Sequence, residues 1–230
     1  TGDDSKYEDE FPLDEGSRWL VGARHNGQYG ENWYTRINFT RVSDTEYLRD
    51  LNNSNLSAQR ETALQQLARL GWINDQWQIT LDFEQFQSIA EDIVEDYRKL
   101  PQMTARWVGN REWAGLTPIF LSELSHFDSD IERITGQRLY NEFGLTKPMH
   151  WTSGFLRPTI KYRSVTYELD RPFTDIENSP NAGSLMASFD GGLIFERQTN
   201  LFGRSMTQTL EPRLYYLYSQ YEEQIFQPDF

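Results

Sequence analysis

The sequence contains no cysteine. A disulfide framework, a thiolate metal site and a thiol nucleophile are therefore excluded from this stretch. Histidine is nearly as scarce: His25, His126 and His150 stand alone, at no spacing that puts two imidazoles on one metal. They read as surface or turn residues, and no metal, cofactor or catalytic role is expected of them. Positive charge is also short, with 22 basic residues against 35 acidic ones and a net charge of −13. A nucleic-acid binder normally shows a basic face, and a protein held to anionic lipid by charge shows a polybasic patch, so both classes are disfavoured. No apolar run approaches the roughly 18 residues of a membrane helix. Glycine-rich phosphate loops, GxSxG elbows and EF-hand spacings are missing too.

What the sequence has is alternation. Hydrophobic residues make up 37% and aromatic residues 14%, and they recur at every second position, the period of a β-strand. In residues 33–42, Trp33, Thr35, Ile37 and Phe39 alternate with Tyr34, Arg36, Asn38 and Thr40. In residues 77–85, Trp77, Ile79, Leu81 and Phe83 alternate with Gln78, Thr80, Asp82 and Glu84. Residues 155–167 set Leu156, Pro158, Ile160 and Tyr162 against Arg157, Thr159, Lys161 and Arg163. The same pattern covers 18–29, 100–108 and 138–145, and a last pair of runs holds Leu193 and Phe195 against Asp190 and Glu196, then Leu214 and Tyr216 against Glu211 and Arg213. Residues 116–127 form a further strand whose phase stays open. Residues 62–72 also fit a helical stripe, and read as a strand because the regular strand after Asn74-Asp75 needs a partner. The fold class is all-β, about ten antiparallel strands in five hairpins.

Turns are expected at Asn26-Gly27 and Gly30, at Asn74-Asp75, at Gly109-Asn110, and in a short polar link within the last hairpin. Long polar links are expected at 43–61, where 44–51 suits a short helix, and at 86–98, 128–136 and 170–182. Short and long connections thus alternate, as in an up-and-down membrane barrel, whereas Greek-key sandwiches show no such regularity. Strands of about ten residues at ~40° tilt rise roughly 25 Å, the height of an outer-membrane apolar band. Trp33, Trp72, Trp77, Trp107, Trp113 and Trp151 sit beside short turns, while Tyr47, Tyr97, Tyr167, Tyr218 and Tyr221 sit towards the long links. Two aromatic belts at opposite strand ends suit a membrane with an interface on each side. The mean hydropathy of −0.72 fits strands that are apolar on one side only.

The barrel reading assigns two sets of residues. Ile37, Phe39, Ile79, Leu81, Phe83, Leu156, Ile160, Leu193, Phe195, Leu214 and Tyr216 would face outer-membrane lipid. Arg36, Asp82, Glu84, Arg106, Arg157, Lys161, Arg163, Asp190, Glu196, Glu211 and Arg213 would face a wet lumen, with Asp190 close to Arg213. A slip of one residue would turn the basic side chains of 155–167 to lipid, at roughly 2–4 kcal/mol each near the midplane, which enforces the register. Asp82 and Glu84 raise glycoside hydrolysis, but nothing supplies a cleft around them. The alternative is a soluble all-β domain that binds or cleaves carbohydrate.

The last hairpin is specific in wording. GGLIFERQTNLFG followed by MTQTLEPRLYYLY resembles the LPS-assembly protein family LptD, also called OstA or Imp. YEDEFPLDEGSRWLVGARHNG, WYTRINFTRVSDTEYLRDL and YRKLPQM resemble the same barrel in the same order, so the likeness covers essentially residues 1–230. The resemblance implies a non-enzymatic outer-membrane barrel of a Gram-negative bacterium that delivers lipopolysaccharide to the outer leaflet. It implies a lumen plugged by an LptE-like lipoprotein and a supply from an LptA-like periplasmic bridge. The opening acidic run and the end at Gln227-Pro228-Asp229-Phe230 suit an internal piece of a larger barrel. The family's periplasmic domain, gate strands and paired cysteines would then lie outside it.

Overall fold

Period-two segments bury one face against whatever covers it and satisfy their backbone by pairing sideways, and here they pair into one continuous sheet. A computed structural model describes residues 18–45, 47, 63–89, 97–110, 114–129, 133–170, 178–222, 227, 228 and 230. The strands are β1 (Leu20–Tyr29), β2 (Trp33–Val42), β3 (Ala63–Ile73), β4 (Trp77–Ser88), β5 (Arg98–Val108), β6 (Thr117–Asp128) and β7 (Gly136–Thr146). They continue as β8 (Met149–Trp151), β9 (Gly154–Leu169), β10 (Asn181–Leu193), β11 (Phe195–Leu201), β12 (Arg204–Leu210) and β13 (Arg213–Ser219). The main sheet runs β1-β2-β3-β4-β5-β6-β7-β9-β10-β13, each pair antiparallel, with β8 on the end of β9 and β11–β12 as a separate hairpin. This is an all-β, up-and-down arrangement.

Residues 63–73 are strand rather than helix, because Trp33↔Trp72 on one side and Leu70↔Leu81 on the other satisfy their backbone. The register also settles residues 117–128: Trp107↔Phe120 and Met103↔Leu124 put Phe120 and Leu124 on the apolar side, while Leu121, Glu123 and Ser125 share the other. In β5, three residues from Lys99 to Gln102 span what two residues span on each neighbour. The extra residue sits beside Pro101, which has no N–H to give the ladder.

Several expectations need correction. Asn26 and Gly27 lie inside β1, and the first reversal falls at Gly30, with φ 62°. The third falls at Ala114 and Gly115, with φ 53° and 73°, not at Gly109-Asn110, because Gly109 already bonds across to the Pro118 carbonyl at 2.8 Å. The short polar link of the last hairpin is itself the hairpin β11–β12, reversing at Phe202-Gly203 with φ 52° and 74°, the left-handed pair of a type I′ turn. Most of the suggested helix at 44–51 lies outside the described residues. Asp44, its expected cap, instead holds Arg18 through two bonds of 2.9 and 2.6 Å, tying the far ends of β1 and β2.

The sheet has little core. Val42, Leu64 and Ile89 form a small cluster at the long-link end, with Tyr47 against it. Met103, Leu124, Phe143, Ile160 and Tyr162 on one face remain 45–53% exposed. Each such side chain gains about 1.5–3 kcal/mol on full burial, so this face calls for an apolar cover.

Candidate functional site

Directly paired residues of antiparallel strands point to the same side of a sheet, so the pairings carry one face across all ten main strands. Starting from Ile37, the chain of partners runs Ile37↔Ala68↔Phe83, then Leu70↔Leu81↔Met103↔Leu124↔Leu139. It closes through Leu145↔Ile160↔Ala187↔Tyr218 and Leu156↔Gly191↔Leu214. Ile37, Phe39, Ile79, Leu81, Phe83, Leu156, Ile160, Leu193, Leu214 and Tyr216 therefore share one face. Trp33, Trp72, Trp77 and Trp107 join them at the short-turn end, where the rings of Trp77 and Trp107 lie 6.1 Å apart. Trp151 lies on β8, beside a short turn, and Trp113 lies outside the described residues.

The opposite face is charged, and its charges are cross-linked between strands. Arg69 on β3 grips Asp82 on β4 through two bonds of 2.7 Å. Lys99 on β5 stands 3.9 Å from Glu84, which also accepts from Gln65 at 2.6 Å. Arg138 on β7 reaches Glu123 on β6 at 2.7 Å. Glu142 on β7 receives Lys161 at 2.7 Å, Arg163 at 2.8 Å and the Tyr140 hydroxyl at 3.2 Å. Arg213 on β13 holds Asp190 on β10 with two bonds of 2.8 Å, the neighbour relation expected from simple alternation. Charge-assisted, often two-pronged bonds fix the register as well as neutralising charge. Arg36, Arg106 and Arg157 lie on this face with no such partner among the described residues.

Three predicted site residues fall off the main sheet. Phe195 and Glu196 belong to β11, and Glu211 lies in the break between β12 and β13, so the sheet register assigns them no face. The break arises where Ile194 and the Glu211-Pro212 step interrupt pairing; the Leu193 amide still bonds to the Pro212 carbonyl at 3.0 Å. Of the tyrosines at the long-link end, Tyr218 shares the apolar face, whereas Tyr167 is 7% exposed and shares the face of Arg163, and the Tyr97 hydroxyl donates to the Ile134 carbonyl at 2.8 Å. Sequence reasoning missed Arg69, Glu123, Arg138 and Glu142. Glu142 stands out of phase with Leu139, Phe143 and Leu145, so the alternation of its own strand puts it on the other face; its cationic partners on β9 needed the strand pairing to be known.

The main sheet thus carries an exposed apolar face and an ion-paired face on opposite sides. A family model described as "LptD: LPS transport system D" matches residues 16–230.

The chain belongs to the LptD family.

Its relatives bear this out. "LPS-assembly protein LptD" of Saccharophagus degradans is 34% identical over 90% of this chain and 25% of its own length. The LptD of Hahella chejuensis is 30% identical over 99% of this chain and 30% of its own length. That of Pseudomonas aeruginosa LESB58 is 29% identical over 96% of this chain and 27% of its own length. The chain thus spans about a quarter to a third of the LptD proteins it matches.

Proposed function

We propose that residues 1–230 form part of the wall of an outer-membrane barrel that inserts lipopolysaccharide into the outer leaflet of a Gram-negative bacterium. The observation that carries this is the uninterrupted separation of an exposed apolar face from an ion-paired face across ten antiparallel strands. The apolar face meets lipid, with the tryptophans of the short-turn end at one interface. The charged face lines the lumen, where Arg36, Arg106, Arg157, Lys161, Arg163 and Arg213 meet the passing anionic glycolipid or a lipoprotein plug of the LptE kind. A periplasmic bridge of the LptA kind would deliver lipopolysaccharide to a domain outside these residues. The segment works by shape and charge and makes or breaks no covalent bond. A soluble carbohydrate-active domain would need a second layer over its apolar face, and the main strands lie in one sheet.

Depletion of the full-length protein tests this. Lipopolysaccharide reaching the surface of intact cells, read by antibody binding, falls as the protein is depleted and recovers on its re-expression. Unchanged surface delivery in depleted cells overturns the proposal.

A further inference from the structure

We propose that the hairpin β11–β12 lies flat on the phospholipid leaflet at the short-turn end, with Arg197 and Arg204 on its anionic headgroups. The inference rests on the wall function above, since it needs a membrane around the main sheet. At this end the chain of β10 runs on past its neighbour β9. The Ile194 amide bonds to the Ser153 carbonyl at 2.8 Å, within the turn that joins β8 to β9. Beyond that level Phe195–Leu201 and Arg204–Leu210 pair only with each other, and they run on for roughly 20 Å. An isolated two-stranded hairpin is marginal in water, so this one calls for a cover.

Its two sides differ in chemistry. Direct partners share a side, so Phe195 with Leu210, Arg197 with Gln208 and Thr199 with Met206 stand together, and Arg204 joins them. The other side holds Glu196, Gln198, Asn200, Ser205, Thr207 and Thr209. Apolar bulk and positive charge thus share one side, and the hairpin's one acid lies on the other. Phe195, Leu210 and Met206 remain 52%, 66% and 40% exposed. Phe202 at the tip is 92% exposed, in a left-handed turn position where glycine or asparagine would be at ease. Arg197 spends one N–H on Gln208 Oε1 at 2.7 Å and keeps four more to donate. Neither arginine has a carboxylate partner among the described residues. The same division marks amphipathic helices that lie in a membrane interface, where arginine stems cover apolar surface and their heads reach phosphate.

Counting shows which way the hairpin bends. The pairs Gly192↔Arg213 and Phe195↔Leu210 flank the break, with two residues between them on each strand. Phase is therefore kept, and Phe195 and Leu210 continue the apolar side of Gly191 and Leu214. A bend outward at Ile194 and Glu211-Pro212 turns that side against the leaflet. A bend inward would set Glu196 under the lumen and leave Phe195 and Leu210 in water. Short turns of outer-membrane barrels face the periplasm, so the leaflet is the periplasmic one. A protein strand added to the hairpin's edge would use its backbone alone and leave this sorting of side chains unused.

The test uses the full-length protein in vesicles of phosphatidylcholine with phosphatidylglycerol, carrying a fluorescent residue at Thr199, at Asn200 or at Ile160. Quenching by phospholipids spin-labelled at the headgroup is expected to be several-fold stronger at 199 than at 200. Arg197→Gln with Arg204→Gln lowers the docked-to-free ratio read at 199 about 25-fold, from about fivefold for each arginine. Vesicles of phosphatidylcholine alone lower it in the same direction. Equal quenching at 199 and 200, or stronger quenching at 200, overturns the docked hairpin. The wall function then stands if chain-labelled lipid still quenches position 160, and loss of that signal overturns both. Quenching at 199 that ignores the substitutions and the lipid charge overturns anionic headgroups as the occupant. Should the double variant fail to fold, the change of lipid alone tests the arginines in the unsubstituted protein.

Discussion

Glu142 is the most heavily bonded acid of the charged face, and replacing it by glutamine tests whether that face is held together by its ion pairs. The side chain is 9% exposed and accepts from Lys161 at 2.7 Å, Arg163 at 2.8 Å and Tyr140 at 3.2 Å. Glutamine keeps the shape and one acceptor oxygen but removes the charge, leaving two cations side by side on β9. Removing one member of a fully buried pair costs ~3–5 kcal/mol. Here Lys161 and Arg163 are 24% and 43% exposed, so water takes over part of their solvation, and about 2 kcal/mol is the expected loss. Equilibrium urea unfolding of the full-length protein in lipid vesicles, followed by tryptophan fluorescence, reads this as a lower midpoint with an unchanged slope. Adding Arg163→Gln relieves the repulsion, so the double variant is more stable than the sum of the two single losses, by roughly 1 kcal/mol of coupling. A single-variant loss below about 0.5 kcal/mol, typical of an exposed pair, together with additive losses in the double variant, would refute the reasoning.

Other perturbations probe the remaining parts of the wall. Gly71 lies opposite Tyr34 on the charged face, and a methyl group added there would collide with the Tyr34 ring. Gly71→Ala therefore lowers the unfolding free energy by about 1–3 kcal/mol, and Tyr34→Ala in the same protein recovers part of it; no recovery shows that the ring is not what Gly71 accommodates. Phe143 is 53% exposed on the apolar face, between Phe120 and Tyr162 in register. Phe143→Arg costs about 2–4 kcal/mol in a membrane, whereas Thr104→Arg on the other face costs under about 1 kcal/mol; equal costs, measured by the same unfolding assay, contradict the face assignment. Removing the two-pronged Arg69–Asp82 bond by Asp82→Asn leaves β3 and β4 paired through their backbone but slows folding and lowers the unfolding midpoint. An unchanged midpoint rules out a stabilising role for that pair.

Most strands were legible because one side of each is apolar and the other polar, so period two stands out in single segments such as residues 77–85. The exceptions have physical causes. Residues 117–128 carry Ile119, Phe120, Leu121 and Leu124, hydrophobic on both sides near the short-turn end, so alternation fades and only the neighbours Trp107 and Phe143 settle the phase. Residues 63–73 bury leucines on both faces, Leu64 at 3% and Leu67 at 9% exposure, so their spacing mimics a helical stripe. β11 and β12 were hidden because Phe202 takes a left-handed conformation that sequence rules reserve for Gly, Asn and Asp. The polar pairs were half legible. Asp190 and Arg213 could be matched by counting residues across one hairpin, whereas Glu142 with Lys161 needs the partner of β9 to be known. A groove lined by Arg106, Thr117, Thr146 and Arg157 draws on β5, β6, β7 and β9 at once, and no single segment announces it.

The central claim is that alternate residues of these strands face lipid and water, and β9 offers the most direct measurement. Single spin labels are placed in the full-length protein in membranes, at Leu156, Ile160 and Tyr162 and at Arg157, Thr159 and Lys161. Relaxation by oxygen, which partitions into lipid, is compared with relaxation by a water-soluble paramagnetic reagent. The account predicts oxygen dominance at the first three positions, the aqueous reagent at the other three, and a period of two along the strand. A reversed phase, or equal aqueous access on both sides, would contradict it.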